Sequence, residues 1–305
     1  MEMQFTVIIC TYRREELLEI TLKSLVEQTI SEESWELLIV DNAGRPSTRE
    51  VANRYGARYV MEERTGLSHA RNRGIAESST PWVIFLDDDI RAPTGLLERF
   101  AHRLQNTRCA VVGGPYRHWF RNPPPTWLLK YYAEPKRASD SEVAIELDQG
   151  KYLSGCVLAV RRDAVVGAGG FEADLGMSGM KIGYGEEDFL QDRIRELDEC
   201  VLYDPDIWIE HMVQPYKYTM RSRLAMAHAQ GRSHHRINPE EPGRTTVGFL
   251  YQLLLITIRS LPFNVARWML KPGYVWQHMY LDTVTKYCFA WGRYRAHAEN
   301  SKLSQ

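Results

Sequence analysis

The sequence predicts an α/β fold: a mostly parallel β-sheet flanked by helices and followed by a helical C-terminal extension. Three observations support this prediction. The first 115 residues alternate between short, apolar, β-rich segments and segments with helical periodicity. Residues 115–151 interrupt the alternation, and the residues after Gln214 show helical patterns only. Strands separated by helices indicate right-handed βαβ units, and therefore parallel neighbouring strands.

The individual elements follow from the apolar patterns in chain order. Leu17, Leu18, Leu22, Leu25 and Val26 are predicted to lie on one face of the first helix. Residues 82–86 have the continuous apolar pattern of a buried strand. Prolines and aromatic residues in 115–151 predict a long loop or a short helical excursion. The predicted strands are 4–10, 36–40, 58–61, 82–86, 109–114, 152–160, 201–203 and 208–211. The predicted helices are 14–28, 47–55, 67–78, 94–104 and 187–196.

The length of 305 residues corresponds to about two domains, or to one α/β domain with additions. We expect a first domain over residues 1–213, with 115–151 as an insertion, and a helical region over 214–305. Charge divides the chain in a similar place. Residues 1–210 carry 25 basic and 35 acidic side chains, whereas residues 211–305 carry 13 basic and 4 acidic ones. The basic region is either a solvated helical surface or a surface for phosphates or an anionic membrane.

The five cysteines are scattered and lack C-x-x-C spacing. This pattern predicts a reducing compartment, with neither a disulfide framework nor a zinc site. The N-terminal apolar stretch is too short and its flanks too acidic for a signal peptide, so we interpret it as a strand. The longest nearly apolar run, 247–258, is shorter than the ~20 residues that span a bilayer. We therefore expect no transmembrane helix.

Three consecutive aspartates, Asp87, Asp88 and Asp89, directly follow the buried strand WVIFL. Adjacent carboxylates repel one another unless a cation offsets their charge. Oxygen ligands of this kind suit Mg²⁺ or Mn²⁺, with phosphate and water completing the coordination shell. The alternative is an acidic surface loop, but the position at the end of an apolar strand favours the cation site.

Two further polar features lie at a strand end and a helix start. Asp41 ends the strand ELLIV, where its carboxylate can accept a pyrimidine N3–H or bind a ribose hydroxyl; Asp-Asn-Ala-Gly is also an ordinary turn. Gly66 precedes a helix start with free backbone N–H groups, and Arg71 and Arg73 follow it. Such a segment suits a phosphate, and the alternative is that both arginines lie on a solvated helix face.

An acidic helix start and a histidine complete the candidate site residues. Glu186, Glu187 and Asp188 begin a predicted helix, where neighbouring acids can raise a carboxyl pKa to the range that a general base needs. Simple interaction with the positive end of the helix dipole is the alternative. His211 ends the segment WIEH, and its neutral imidazole can complete a metal site or serve a structural purpose.

Taken together, these features resemble those of the family-2 glycosyltransferases, which are inverting enzymes with the GT-A (Rossmann-like) fold. The resemblance extends from Phe5 to about Arg236. Each segment alone is only moderately specific, but the segments occur in the family's order and register, and this combination is highly specific. They are VIICTYRRE, LLIVDN, GLSHARNRGI, FLDDDI, LSGCVLAVRRDAV, GGF and GEEDFLQDRI.

The resemblance implies a role for each matching residue. Asp188, with Glu187 beside it, matches the family's catalytic base. The residues implied to bind the nucleotide sugar are Thr11, Tyr12, Arg13, Asp41, Arg71, Asp87 and Asp88. Those implied to hold Mn²⁺ or Mg²⁺ are Asp89, Asp87 and His211. The chain departs from the family's pattern at Arg13, where many members have asparagine followed by arginine. The Q-x-x-R-W motif of processive synthases is absent, which favours addition of a single sugar.

The implied partners are a nucleoside-diphosphate sugar, linked to uridine or thymidine, and a carbohydrate or lipid-linked acceptor; no nucleic acid is expected. On the acceptor side we expect Trp119, Trp127, Gly155 and Glu186. The family resemblance implies bacterial surface polysaccharide or glycoconjugate synthesis, in the cytoplasm or peripherally on the inner face of the membrane. The C-terminal helices pack on the body, form a homodimer or lie on a membrane, and core packing is the favoured alternative.

Two other functions fit parts of the sequence. A nucleotidyltransferase also combines a parallel sheet, a nucleotide and Mg²⁺, but it normally has a glycine-rich loop after the first strand, and CTYRRE contains no glycine. An inactive carbohydrate-binding or scaffold protein would not need both the aspartate triplet and the Glu-Glu-Asp helix start. Both alternatives are therefore disfavoured.

Overall fold

A computed structural model describes residues 5–179, 181–237 and 245–303. The chain forms two compact units. The first comprises the described residues of Met1–Trp119, Glu134–Gly179 and Glu186–Met212, and the second those of Phe120–Ala133, Met180–Gly185 and Val213–Gln305. The first unit ends one residue before the predicted division at 213. The second unit also takes two short segments from earlier in the chain, so the predicted domain scheme stays a proposal.

The first unit contains two β-sheets. Its strands are β1 (Phe5–Thr11), β2 (Trp35–Asp41), β3 (Arg58–Met61), β4 (Trp82–Asp87), β5 (Ile90–Arg91), β6 (Val111–Gly113), β7 (Tyr116–Trp119), β8 (Ile145–Glu146), β9 (Val157–Arg161), β10 (Val201–Tyr203) and β11 (Ile209–Met212). The large sheet has the order β3-β2-β1-β4-β9-β6-β10-β8, and the small one β5-β11-β7. The predicted fold class, a mostly parallel sheet flanked by helices, is confirmed.

Helices cover both faces of the large sheet. They are α1 (Glu15–Val26), α2 (Pro46–Arg54), α3 (Leu67–Glu77), α4 (Leu96–Gln105), α6 (Arg162–Gly167) and α7 (Glu186–Arg195). Apolar residues of α1, α2 and α4 form one buried cluster with the sheet. Those of α3, α6 and α7 form a second cluster on the opposite face. The alternation along β1 explains this division, because Val7 and Ile9 point to one cluster and Ile8 to the other.

Strand register brings polar residues together at one edge of the large sheet. β1 pairs in parallel with β2 and β4, so that Thr11 lies opposite Asp41 and Cys10 lies opposite Asp87. Ligands of open α/β sheets bind beyond the carboxyl ends of such strands. The polar residues that follow β1, β2 and β4 therefore lie where a ligand is expected.

The second unit is helical, as predicted for the residues after Gln214. Its helices are α5 (Thr126–Leu129), α8 (Met220–Ile237), α9 (Thr246–Leu255), α10 (Leu261–Leu270) and α11 (Trp276–Leu303), with a π-helical turn over Ile256–Ser260. Helices α8 and α11 approach closely at Gly231 and Gly292. A Cβ atom on Gly231 would lie 2.0 Å from the Phe289 carbonyl oxygen, so only glycine permits this crossing.

Several elements differ from the sequence prediction. Residues 115–151 contain β7, α5 and β8, because edge pairing gives these short segments partners that local periodicity does not show. β5 and α6 were not predicted. β9 begins at Val157, not at residue 152, and runs antiparallel to β4 and β6. The predicted start of the first strand at Gln4 lies outside the described residues.

The cysteine prediction is wrong for one pair. Cys109 and Cys200 form a disulfide across 91 residues of sequence, whereas Cys10, Cys156 and Cys288 are free. Cys109 lies two residues before β6, and Cys200 immediately before β10, and these strands pair in parallel. Strand pairing thus places the two cysteines side by side, although nothing in their spacing indicates it.

The membrane prediction also needs correction. Within the described residues, the continuous helical stretch Thr246–Leu270 is long and apolar enough to cross a membrane by length and composition alone. The apolar run 247–258 appeared too short because it ends at Arg259. The helix continues through the π-helical turn into α10, and its apolar residues continue with it.

Candidate active site

The three aspartates that follow β4 point to different partners. Asp88 is buried and accepts hydrogen bonds from Thr11 Oγ1 at 2.7 Å and from Arg14 Nη1 at 3.1 Å. Burial and Asp89 raise the pKa of Asp88 to about 6, against the opposing charge of Arg14. Asp88 is thus held between the end of β1 and the start of α1. Asp87 and Asp89 face a different group.

That group is His211, which the small sheet brings to the aspartates. β11 pairs with β5, which lies directly after the triplet, and the Met212 N–H donates to the Asp89 carbonyl at 3.0 Å. His211 Nε2 lies 3.0 Å from Asp89 Oδ1 and 3.4 Å from Asp87 Oδ2. Although burial favours the neutral ring, the two carboxylates raise the pKa of His211 to about 9.

Asp87, Asp89 and His211 form a candidate metal centre. One ligand atom from each of the three residues lies within 4.8 Å of the other two. Two carboxylate oxygens and an imidazole nitrogen suit Mn²⁺ and are compatible with Mg²⁺. The residues therefore fit the predicted metal, and the sequence prediction named all three.

Arg71 is buried and does not lie on a solvated helix face, and its contact with the nucleotide sugar stays a prediction. Its side chain is only 4% exposed, and Nη1 donates to Glu186 Oε1 at 3.0 Å. Nη2 lies 3.7 Å from Asp87 Oδ1 and donates to the Gly155 carbonyl at 3.3 Å. A Cβ atom on Gly155 would lie 2.7 Å from Nη2, so the glycine makes room for the guanidinium. Arg71 connects the aspartate triplet with the start of α7.

The start of α7 carries the candidate base. Asp188 is half-buried, and burial together with Glu187 and Asp192 raises its pKa to about 7, against the opposing charge of Arg195. The neighbouring Glu186 is buried, and burial and Glu187 raise its pKa to about 8, against the charge of Arg71. A carboxyl group that titrates near neutral pH and is partly exposed suits general-base catalysis.

The remaining candidates on the nucleotide side differ in their exposure. Asp41 is completely buried, and its oxygens accept from the Ala43 and Arg45 N–H groups, each at 2.8 Å, and from Tyr59 Oη at 2.9 Å. It therefore holds its own turn, and the contact with a base stays a prediction. Thr11 is buried on Asp88, Tyr12 is half-buried, and Arg13 is exposed with a positive φ of 56°.

The acceptor-side candidates are divided between the two units. Trp119 is buried in the small sheet, and the Arg91 guanidinium covers its ring at 3.6 Å. Trp127 belongs to the second unit, where its carbonyl lies 2.7 Å from His278 Nε2. Gly155 and Glu186 both contact Arg71. Their part in acceptor binding stays a prediction.

One residue of the site was missed. Arg14 lies 3.1 Å from Asp88 Oδ1 and 3.7 Å from Asp89 Oδ2, and so offsets part of the negative charge of the triplet. The sequence contained a signal for Arg14. Many members of the resembled family have asparagine followed by arginine where this chain has Arg13 followed by Arg14.

Comparison with solved structures identifies the fold. The chain superposes on a mannosyltransferase from Pyrobaculum calidifontis, solved with GDP-Man and Mn²⁺, with a TM-score of 0.63 and 16% identity; the match covers 97% of this chain and 88% of that one. It superposes on residues 1–349 of Staphylococcus aureus TarS with a TM-score of 0.55 and 15% identity, covering 99% and 92%. The fold is that of the GT-A glycosyltransferases.

The family follows from the sequence comparisons. Residues 6–166 match the model of glycosyl transferase family 2, and the chain belongs to this family. The succinoglycan biosynthesis protein ExoM of Rhizobium meliloti is 26% identical over 244 residues, which are 76% of this chain and 74% of the relative. Glycosyltransferase AglE of Haloferax volcanii is 31% identical over 123 residues, 38% of this chain and 40% of the relative. The predicted family and enzyme class are confirmed.

The electrostatic surroundings of Asp188 predict its pH dependence. A general base acts when deprotonated, so kcat/KM should rise with pH through an apparent pKa of about 7. Asp192 raises this pKa and Arg195 lowers it. Asp192→Asn should therefore move the midpoint of the profile to lower pH, and Arg195→Gln should move it to higher pH. A pH–rate profile of the three proteins checks this, and unchanged midpoints would contradict it.

Proposed function

We propose that the chain is a metal-dependent, inverting glycosyltransferase. It transfers one sugar from a nucleoside-diphosphate sugar to an acceptor hydroxyl, in the synthesis of a bacterial surface polysaccharide or glycoconjugate, on the cytoplasmic side of the membrane. The observation that carries this proposal is the convergence of Asp87, Asp89 and His211 within 4.8 Å. Arg71 connects this cluster to α7, on which Asp188 lies.

Asp87, Asp89 and His211 would hold the cation, Mn²⁺ or Mg²⁺. When bound, such an ion supplies Lewis-acid stabilisation of the charge that develops on the departing diphosphate. Arg14 and Arg71 keep the carboxylates in place, because each arginine contacts one of the outer aspartates from a different side of the triplet. The chain thus fixes the ligand atoms before the donor arrives, which limits reorganisation during the reaction.

Asp188 acts on the acceptor. Its carboxylate removes the proton of the acceptor hydroxyl, and the oxygen of that hydroxyl forms a bond to the anomeric carbon. The bond between the anomeric carbon and the phosphate oxygen breaks, and the nucleoside diphosphate leaves with the electron pair. Attack opposite the leaving group inverts the anomeric configuration. A pKa near 7 keeps enough of the base deprotonated at neutral pH while it still accepts a proton effectively.

Uridine- and thymidine-linked sugars are the proposed donors. This choice of donors rests on the position of Asp41 at the end of β2, where it pairs with Thr11 in the register of the sheet. Because the Asp41 oxygens already accept three hydrogen bonds, a base would have to share this carboxylate with the turn or displace Tyr59. The solved mannosyltransferase binds GDP-Man, so guanosine-linked sugars are the informative comparison.

A donor panel tests the proposed function. We expect one class of nucleoside-diphosphate sugar to stabilise the protein against heat in the presence of Mn²⁺, and to release nucleoside diphosphate faster when an acceptor is added. Nucleoside triphosphates plus sugar phosphates serve as the control, because pyrophosphate release from them would indicate a nucleotidyltransferase. Binding without turnover of any donor across an acceptor panel would instead indicate a carbohydrate-binding protein.

A further inference from the structure

One helical stretch of the second unit exposes large apolar side chains over most of its length. It comprises Thr246–Leu270 and continues to Trp276 at the start of α11, and we call its exposed apolar side chains the apolar face. Leu270 is 81% exposed, Met269 74% and Phe263 61%. Its exposed large apolar side chains are Val247, Leu250, Tyr251, Leu254, Ile258, Leu261, Phe263, Trp268, Met269, Leu270, Val275 and Trp276. A series of exposed large apolar side chains of this kind marks an interaction site.

The opposite side of the same stretch is attached to α11. Thr257 Oγ1 and Tyr287 Oη lie 2.7 Å apart, and Lys286 Nζ donates to Ser260 Oγ at 2.9 Å. The buried Asn264 donates to Thr283 Oγ1 at 3.0 Å. These contacts run antiparallel along both helices. The exposure of the apolar face is therefore a property of a packed helix pair and not of a detached helix.

The charged side chains within residues 246–281, the segment that carries the apolar face, have one sign. Residues 246–281 contain no aspartate or glutamate, but they contain Arg259, Arg267 and Lys271. Within the described part of the chain, none of these three cations has a carboxylate partner. The Arg267 guanidinium instead lies over the Tyr274 ring at 4.4 Å. Apolar side chains, tryptophans and cations without a carboxylate partner match the acyl chains, the interface and the phosphates of an anionic membrane, respectively.

The geometry favours a helix that lies along the membrane over one that crosses it. A crossing helix would carry its partner α11 into the hydrocarbon region. Helix α11 contains Asp282, Lys286 and Arg293, and charged side chains at that depth are costly. A face-to-face dimer of two such surfaces is also disfavoured, because it would bring the cations of both copies together.

We propose that the apolar face docks the protein on a membrane that contains anionic lipid, with Thr246–Leu270 lying in the interfacial region. This inference does not depend on the proposed catalytic mechanism, since it uses residues of the second unit only. Each Lys or Arg near an anionic surface strengthens binding by about fivefold. Each large apolar side chain that enters the interface adds roughly tenfold or more.

Flotation of the full-length protein with vesicles tests the proposal. At an ionic strength below the physiological value, we expect the protein to bind phosphatidylcholine vesicles in which roughly a third of the lipid is phosphatidylglycerol. Binding to vesicles of pure phosphatidylcholine should be much weaker. The double variant Met269→Glu, Leu270→Glu should lose about 100-fold or more in vesicle affinity, because it removes two apolar side chains worth roughly tenfold each. Arg267→Gln with Lys271→Gln should lose about 25-fold on the anionic vesicles and little on the neutral ones.

Val143→Glu is the matched control, because Val143 is a 67% exposed apolar residue of the first unit. It should bind vesicles like the unsubstituted protein. Equal vesicle binding by all variants, or no binding by the folded protein, would overturn the proposal. The proposal would also be overturned if light scattering showed a dimer that Met269→Glu, Leu270→Glu dissociates while vesicle binding stays unchanged. Circular dichroism and nucleoside diphosphate release confirm that each variant is folded.

Discussion

Asp188→Asn is expected to lower sugar transfer by about 10²–10⁴-fold, the usual contribution of a general base. The amide keeps the size of the side chain but cannot accept the acceptor's proton. Donor binding should be unchanged, since Asp188 lies on α7 and not among the aspartates after β4. Initial rates of nucleoside diphosphate release with saturating acceptor, and donor affinity by calorimetry, measure the two effects separately.

Asp192→Asn provides the control for Asp188→Asn. It removes a carboxylate from the same helix, one turn further on, and that carboxylate bonds to Tyr152 and not to a site residue. Assayed above pH 8, where Asp188 is deprotonated in either protein, Asp192→Asn should keep its transfer activity. If Asp188→Asn also keeps most of its activity and Glu187→Gln loses it, the base is Glu187 and the assignment is wrong.

Removal of divalent cations is expected to abolish transfer, and Mn²⁺ or Mg²⁺ should restore it. Neutralisation of the developing diphosphate charge by a metal is worth several kcal/mol, which corresponds to a loss of about 10²-fold or more. Asp89→Asn should have the same effect, because Asp89 is one of the three candidate ligands. Activity with and without EDTA, followed by titration with each metal, measures the dependence.

Asp163→Asn is a suitable control for the loss of an aspartate charge, since the mostly exposed Asp163 pairs with Arg161 at the start of α6 and not with the site. Direct Mn²⁺ binding by electron paramagnetic resonance separates a metal defect from a folding defect. Full activity in excess chelator, with a protein that retains no metal, would remove the cation from the proposed mechanism.

Local sequence patterns predicted much of the large sheet because its strands are short, apolar and separated by helices. The aspartate triplet was visible for the same reason, since it directly follows the buried β4. His211 was a candidate metal ligand from its place at the end of WIEH, but its contact with Asp89 depends on the pairing of β11 with β5. A two-residue strand has no periodicity, so no sequence pattern predicts that pairing.

Arg71 shows why the chemical environment was harder to predict than the residues. A basic residue near a helix start suggests a phosphate ligand, yet the side chain is buried between Glu186 and Asp87. Its partner Glu186 is 115 residues away, and only the packing of α3 and α7 on the same face of the sheet brings them together. The Cys109–Cys200 disulfide and the apolar face also depend on tertiary neighbours.

The anomeric configuration of the first product tests the central claim most directly. A donor whose sugar is α-linked to the diphosphate is incubated with the protein, Mn²⁺ and an acceptor, and ¹H NMR follows the new anomeric signal from the first minutes. If the acceptor hydroxyl, deprotonated by Asp188, displaces the diphosphate directly, the product is β-linked. The Asp188→Asn variant should form this product far more slowly. An α-linked product, or one that Asp188→Asn forms at the same rate, would contradict the proposed mechanism.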